Sequence, residues 1–159
     1  MSDVIRFFAA GKPAPRGSKR AFINPRSGRP IITDMSKRSR PWMNSIKAQA
    51  LEVMQGREMF AREVPLRVNF FFQLERPKSH FGTGRNAERL KPSALRRPSK
   101  QPDLLKLARP VEDALTGIVY HDDAASVDIH LYKNYGNPVG VLIEIRQEGP
   151  VTVGEESDG

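Results

Sequence analysis

The sequence contains no cysteine. That excludes disulfides, thiolate-held zinc and thiol catalysis together. It also lacks any apolar run near the roughly 18 residues of a membrane span, and its mean hydropathy is -0.51. The first residues, Met1 to Pro13, lack the basic start and longer apolar core of a signal peptide. A soluble, cytoplasmic protein is therefore expected. Histidine is scarce, with 3 residues, and there is 1 tryptophan. What the chain has in excess is positive charge. Its 26 lysines and arginines against 18 acids give a net charge of +8 and a pI near 10.1, which points to a polyanion, nucleic acid first. The 159 residues suit a single domain.

The charge is segregated. Nine cations lie in 12–40: Lys12, Arg16, Lys19, Arg20, Arg26, Arg29, Lys37, Arg38 and Arg40. Eight more lie in 75–100: Arg76, Lys78, Arg85, Arg89, Lys91, Arg96, Arg97 and Lys100. Both windows are rich in Pro, Gly and Ser, so they read as exposed loops able to follow a phosphate backbone. The stretch 103–128 is the reverse, with Asp103, Glu112, Asp113, Asp122, Asp123 and Asp128 against Lys106 and Arg109. A carboxylate cluster in a cationic chain is costly unless it binds something, and a divalent cation is the obvious candidate. The last residues, 148–159, carry four acids and no cation. They are expected to form a disordered acidic tail after a domain spanning 1–147.

Periodicity predicts the elements. Residues 4–9 read as a strand, broken by Gly11 to Gly17. Two short apolar runs flank Asn24 to Arg29 as a hairpin with a basic tip. From Pro41 to Met54, Trp42, Ile46, Ala50, Val53 and Met54 mark one face of a helix that Gly56 ends. Leu66, Val68, Phe70, Phe72 and Leu74 alternate with polar residues and Phe71, as a strand does. A long basic loop follows over 75–102, with one helical turn expected at 86–90. Leu104, Leu107, Ala108, Val111, Ala114 and Leu115 form a helical stripe. Asp103, Lys106, Pro110 and Asp113 share another side, and Pro110 is expected to kink or split the helix. Strands over 126–133 and 139–146 complete an α+β domain: a mixed sheet of four to six strands packed with two main helices.

Phosphodiester cleavage needs an activated water and a stabilised pentacovalent phosphate, and Mg2+ held by a few carboxylates supplies both. Asp103 at a helix mouth and Asp122-Asp123 after the next turn are the candidates. Adjacent Asp side chains diverge, so one would ligate and the other would turn the chain. Asp103 after Pro102 also suits a plain helix N-cap.

The run Gln101-Pro102-Asp103-Leu104-Leu105-Lys106-Leu107-Ala108-Arg109, then Glu112-Asp113-Ala114-Leu115-Thr116-Gly117-Ile118-Val119-Tyr120-His121-Asp122-Asp123, resembles the signature of the RusA family of Holliday junction resolvases. Gly11 to Arg20 resembles that family's opening. The resemblance implies a RusA-like fold and a small dimeric Mg2+-dependent endodeoxyribonuclease (Mn2+ a possible substitute) of phage or prophage type, acting on branched DNA in recombination or repair. It implies catalysis by Asp103, Asp123, Asp122 and Arg109, and a metal held among Asp103, Asp123, Asp122 and Asp113. DNA would be gripped by Lys12, Arg16, Lys19, Arg20, Arg76, Lys78, Arg85 and Lys106. The sequence departs from the family at Leu105, where a second Asp is usual, and at Arg109, where Lys is usual. Leucine cannot bind a metal. So another carboxylate completes the site, or activity is weak, or the protein binds branched DNA without cutting it.

Among the remaining residues, His121 is read as a turn residue beside the acidic pair and His80 as a solvated loop residue. Trp42 and Tyr120 are read as core or interface residues. Phe81, in the Gly-rich basic loop, is the best exposed candidate for stacking on bases.

Overall fold

The computed structural model of the chain describes residues 4–16, 19–34 and 38–150. The acidic tail beyond 150 and the side chains of Lys19 and Arg20 lie outside the described residues.

The elements run β1 (Val4–Ala10), β2 (Lys19–Ile23), β3 (Pro30–Asp34), α1 (Ser39–Val53), β4 (Leu66–Leu74), α2 (Leu104–Leu115), β5 (Ser126–Tyr135) and β6 (Gly140–Gln147). Four strands form a mixed sheet in the order β1-β6-β4-β5, and β2 and β3 form a separate hairpin. This is the expected α+β architecture with two main helices. The β4–β5 pair is parallel and the β4–β6 and β1–β6 pairs are antiparallel. Parallel neighbours need a long crossover, and the segment from 75 to 125, containing α2, provides it.

The alternation in β4 does what its sequence promises. Leu66, Val68, Phe70, Phe72 and Leu74 are buried against the helices, together with Val141, Ile143 and Ile145 of β6. Helix α1 adds Trp42, Ile46 and Ala50, and α2 adds Leu107, Val111, Ala114 and Leu115. Trp42 and Tyr120 are core residues, as expected. On the other face, register places Phe8, Leu142, Phe71 and Tyr132 in one row across all four strands. Phe71 and Tyr132 stack at 5.1 Å between ring centroids.

Three expectations are corrected. Pro110 does not split α2: the helix runs unbroken over 12 residues, and Pro110 is buried. Its ring removes the N–H that would bond to the Lys106 carbonyl. That carbonyl instead accepts the Arg16 backbone N–H at 3.0 Å, and the segment leading to Arg16 covers this side of the helix. The helical turn expected at 86–90 is a shorter 3-10 turn at Gly84–Asn86, because Leu90 pairs with Phe81 in an isolated bridge. His80 is half-buried rather than free in the loop. It packs edge-on against Tyr135 at 5.5 Å, with Arg76 hydrogen-bonded to its ring.

The basic loop 75–102 is therefore held rather than free. Arg76 donates to the Leu95 carbonyl at 2.6 Å and lies over the Tyr135 ring at 4.3 Å. Arg97 donates to Asn134 at 3.1 Å. Lys133 donates to the carbonyls of Lys100 and Pro102, both at 2.9 Å, which fixes the approach to α2. At the far end of the domain, Glu148 is tied to β4 through Arg67 at 2.7 Å.

Candidate active site

The acidic segment folds back on itself through one glycine. Gly117 adopts φ +83, a conformation that costs glycine little. Its N–H donates to the Tyr120 carbonyl at 2.7 Å. The sharp stop of α2 returns the chain so that the 3-10 turn Asp123–Ala125 lies beside the last turns of the helix. Tyr120 and Thr116 both donate their hydroxyls to the Glu112 backbone carbonyl, at 3.3 and 2.9 Å. The Thr116 bond closes the end of the helix, and the Tyr120 bond fastens the return segment to it.

Arg109 sits at the junction. Its Nη1 lies 2.9 Å from Asp123 and 3.7 Å from Glu112, and its Nε lies 3.5 Å from Asp113. The other oxygen of Asp113 lies 3.7 Å from the Arg16 guanidinium. Three carboxylates from two elements thus surround one guanidinium, and a second arginine closes the far side. Asp113, Asp123 and Arg109 were expected in the site from sequence and stand together. Glu112 was not expected. Its signal was helical phase: at 100° per residue, Leu105, Arg109 and Glu112 share one face.

The environment of Glu112 raises its pKa. Burial is the main cause, followed by the charge of Asp123, with Arg109 opposing and Asp113 adding to the rise. Burial, then the nearby Glu112 charge, also pushes the Tyr120 phenol upward. Tyr120 is a neutral hydrogen-bond donor here.

The two members of the Asp-Asp turn have different uses. Asp122 accepts the Ala124 N–H at 2.9 Å, and that bond is the main reason its pKa is lowered. Asp122 lines a groove of about 390 Å³ with Arg62 and His121, whereas Asp123 turns toward Arg109. Asp103 occupies the N-cap position of α2, but its side chain makes no capping bond. It is exposed and lies 3.8 Å from Lys106. Leu105 is 76% exposed on the same helix. Of the expected DNA contacts, Lys12, Arg16, Lys78, Arg85 and Lys106 are exposed, while Arg76 is half-buried in the loop anchor described above. Phe81 is half-buried beside Leu90 and Tyr135 rather than freely displayed.

All the candidate ligands are carboxylate oxygens, the donors a hard divalent cation takes. Of these, Asp113 and Asp123 gather with Glu112 around the Arg109 guanidinium, where a cation offsets their charge, while Asp103 and Asp122 stand apart. As arranged, no three His, Asp or Glu side chains among the described residues stand as a metal-holding group.

No helix among the described residues is long and apolar enough to cross a membrane. A curated protein of Bacillus subtilis (strain 168), the uncharacterized protein YqaN, is 28% identical over 145 residues, which cover 91% of this chain and 97% of that protein. The family model described as endodeoxyribonuclease RusA matches residues 12–146. That span takes in Arg16, all of α2 and the Asp-Asp turn, so the elements that meet at Arg109 are family elements. The chain belongs to the RusA endodeoxyribonuclease family.

Proposed function

We propose that the protein is a structure-selective endodeoxyribonuclease that resolves four-way DNA junctions in recombination or repair, of phage or prophage type. The observation that carries this reading is the meeting of Arg109, Asp113, Asp123 and Arg16 at the join of α2 and the Asp-Asp turn. Mg2+ bound among Asp103, Asp123, Asp122 and Asp113 would supply the Lewis acid and the activated water. The protein's own groups have distinct tasks. Arg109 and Arg16 are permanent cations able to donate to phosphate oxygens in place of carboxylates. Arg109 then stabilises negative charge as it develops on the phosphate. Asp122 holds the turn that presents Asp123. Glu112 adds a third carboxylate beside Arg109, two helical turns from the position where Leu105 replaces the usual Asp.

A four-way junction has near-twofold symmetry and needs two cuts, so a C2 homodimer suits it. The row Phe8, Leu142, Phe71 and Tyr132 is the apolar surface available for such a contact. Light scattering would report the mass, with twice the 17.9 kDa chain expected.

The test is cleavage of an end-labelled four-way junction with Mg2+ or Mn2+ and with chelator. Paired nicks that vanish on chelation are expected. The exposed Leu105 favours a second reading, a branched-DNA-binding protein with little or no cleavage. Binding without nicks at any concentration of either metal would decide for it. Equal affinity for junction, linear duplex and RNA at fixed salt would sink both.

A further inference from the structure

Helix α2 contains a proline at a position where proline has a cost, and the chain uses what the proline leaves behind. Residue 110 cannot donate to the Lys106 carbonyl, and a carbonyl left unpaired at a covered surface costs free energy comparable to a lost hydrogen bond. The Arg16 N–H fills the vacancy at 3.0 Å. The same residue sends its guanidinium to Asp113, further along the helix. Pro110 lies between these two contacts in the sequence of α2 and is buried.

The segment before Arg16 is built as a strap. At its start, the Gly11 N–H donates to the Val139 carbonyl at 3.0 Å, and Ser45 donates to the Ala10 carbonyl at 2.9 Å. Between the two anchors, Pro13 and Pro15 have fixed φ and no N–H to satisfy. Pro13 and Ala14 are buried while Lys12 and Arg16 are exposed. The strap therefore crosses from the sheet to α2 with its apolar residues inward and its cations outward.

We infer that Pro110 is a positioning residue. By withholding the helical bond from Lys106, it creates the docking point that fixes Arg16 beside Asp113 and Arg109. This rests on the nuclease reading for the use made of Arg16, since a phosphate is the ligand that a fixed pair of arginines suits. The docking itself does not depend on that reading.

The test is Pro110→Ala, which restores an N–H able to bond Lys106 and introduces a good helix former, so the variant should fold. Native-state hydrogen exchange should show protection of the Arg16 amide falling about fivefold, the weight of one backbone hydrogen bond. Affinity for a four-way junction should fall about threefold or more, as expected when one phosphate contact loosens. Replacing residue 110 by the α-hydroxy acid analogue of alanine removes the N–H without restoring the ring, and should return both readouts toward wild type. Unchanged Arg16 protection in Pro110→Ala overturns the docking. Lost protection with unchanged junction affinity overturns the positioning role. Failure of the wild-type protein to bind any branched DNA would instead overturn the nuclease reading while leaving the exchange result intact.

Discussion

The two halves of α2 carry charge in different ways. At the N-terminal end, Asp103 is exposed, makes no capping bond with its side chain and pairs with Lys106 at 3.8 Å. Leu105 beside it presents hydrocarbon to solvent. In the C-terminal half, Glu112 and Asp113 crowd with Asp123 around Arg109, and Arg16 joins from outside. The contrast separates availability from concentration. Asp103 is free to accept a ligand but stands outside the Arg109 cluster. The C-terminal carboxylates are concentrated, yet each already has a cationic partner. A site that cuts DNA needs both qualities, so the way to understand this helix is to change one end and read the other.

The largest effect should come from the carboxylates themselves. Asp123→Asn and Asp103→Asn should each lower junction cleavage by about 100-fold or more, the scale of removing one charge-handling group from an active site. Junction binding should be kept or tightened, because each change removes negative charge near phosphate. If only Asp123→Asn is inactive, the working site is confined to the C-terminal half. If both variants lose binding, neither belongs to a site of the kind proposed.

Leu105→Asp should raise cleavage in Mg2+ about tenfold if the missing carboxylate limits the reaction, the low end of what one charge-handling group contributes. An unchanged rate, measured under single-turnover conditions, would mean that the C-terminal half supplies what Leu105 lacks. Glu112→Gln in the Leu105→Asp background then asks whether the two positions substitute for each other. If they do, Glu112→Gln will cost less activity in that background than in the wild type.

Arg109→Ala removes the cation shared by three carboxylates. The side chain is 48% exposed, so each pair is worth little alone, about 0.2–1 kcal/mol. The network together should cost about 1 kcal/mol in urea unfolding, and more at low salt, where repulsion among Glu112, Asp113 and Asp123 is less screened. The corresponding change at Lys106, Lys106→Ala, should be near neutral.

The smallest effect is a pH dependence. The Glu112 pKa is raised above its usual 4.5 in the folded protein. The folded state therefore holds that proton more tightly than the unfolded state. The stabilisation is complete below about 4.5 and is lost as pH rises through the raised value. Asp122 has the opposite sign: its pKa is lowered, so its contribution disappears as pH falls below 3.8. Thermal melts of the wild type should thus lose stability upward from pH 4.5, and Glu112→Gln should remove that component. Identical slopes in the two proteins would show that Glu112 does not ionise differently on folding.

Much of this was legible in the chain. The alternation of β4 and the apolar stripe of α2 gave their buried faces directly, because side-chain direction repeats with period 2 in a strand and about 3.6 in a helix. Gly117 and the paired aspartates marked the turn that brings Asp123 back. Glu112 is not marked by aspartate spacing; its place beside Arg109 follows from helical phase. The unbroken path of α2 through Pro110 is not visible from the helix alone, which has no neighbour to use the freed Lys106 carbonyl; Arg16 supplies it. Arg76 was read as a DNA contact from its charge, and only the fold shows that Leu95 and Tyr135 hold it.

The sequence by itself determined the local choices: which residues form each element, where glycine and proline interrupt them, and that cations lie in loops around an acidic segment. These depend on neighbours a few positions away. The tertiary structure decided the partners. It set β5 parallel to β4, laid Arg16 against Lys106 far along the chain, and put Arg109 among three carboxylates from two elements. Such contacts depend on how faces close on a common core, and spacing along the chain does not contain that information.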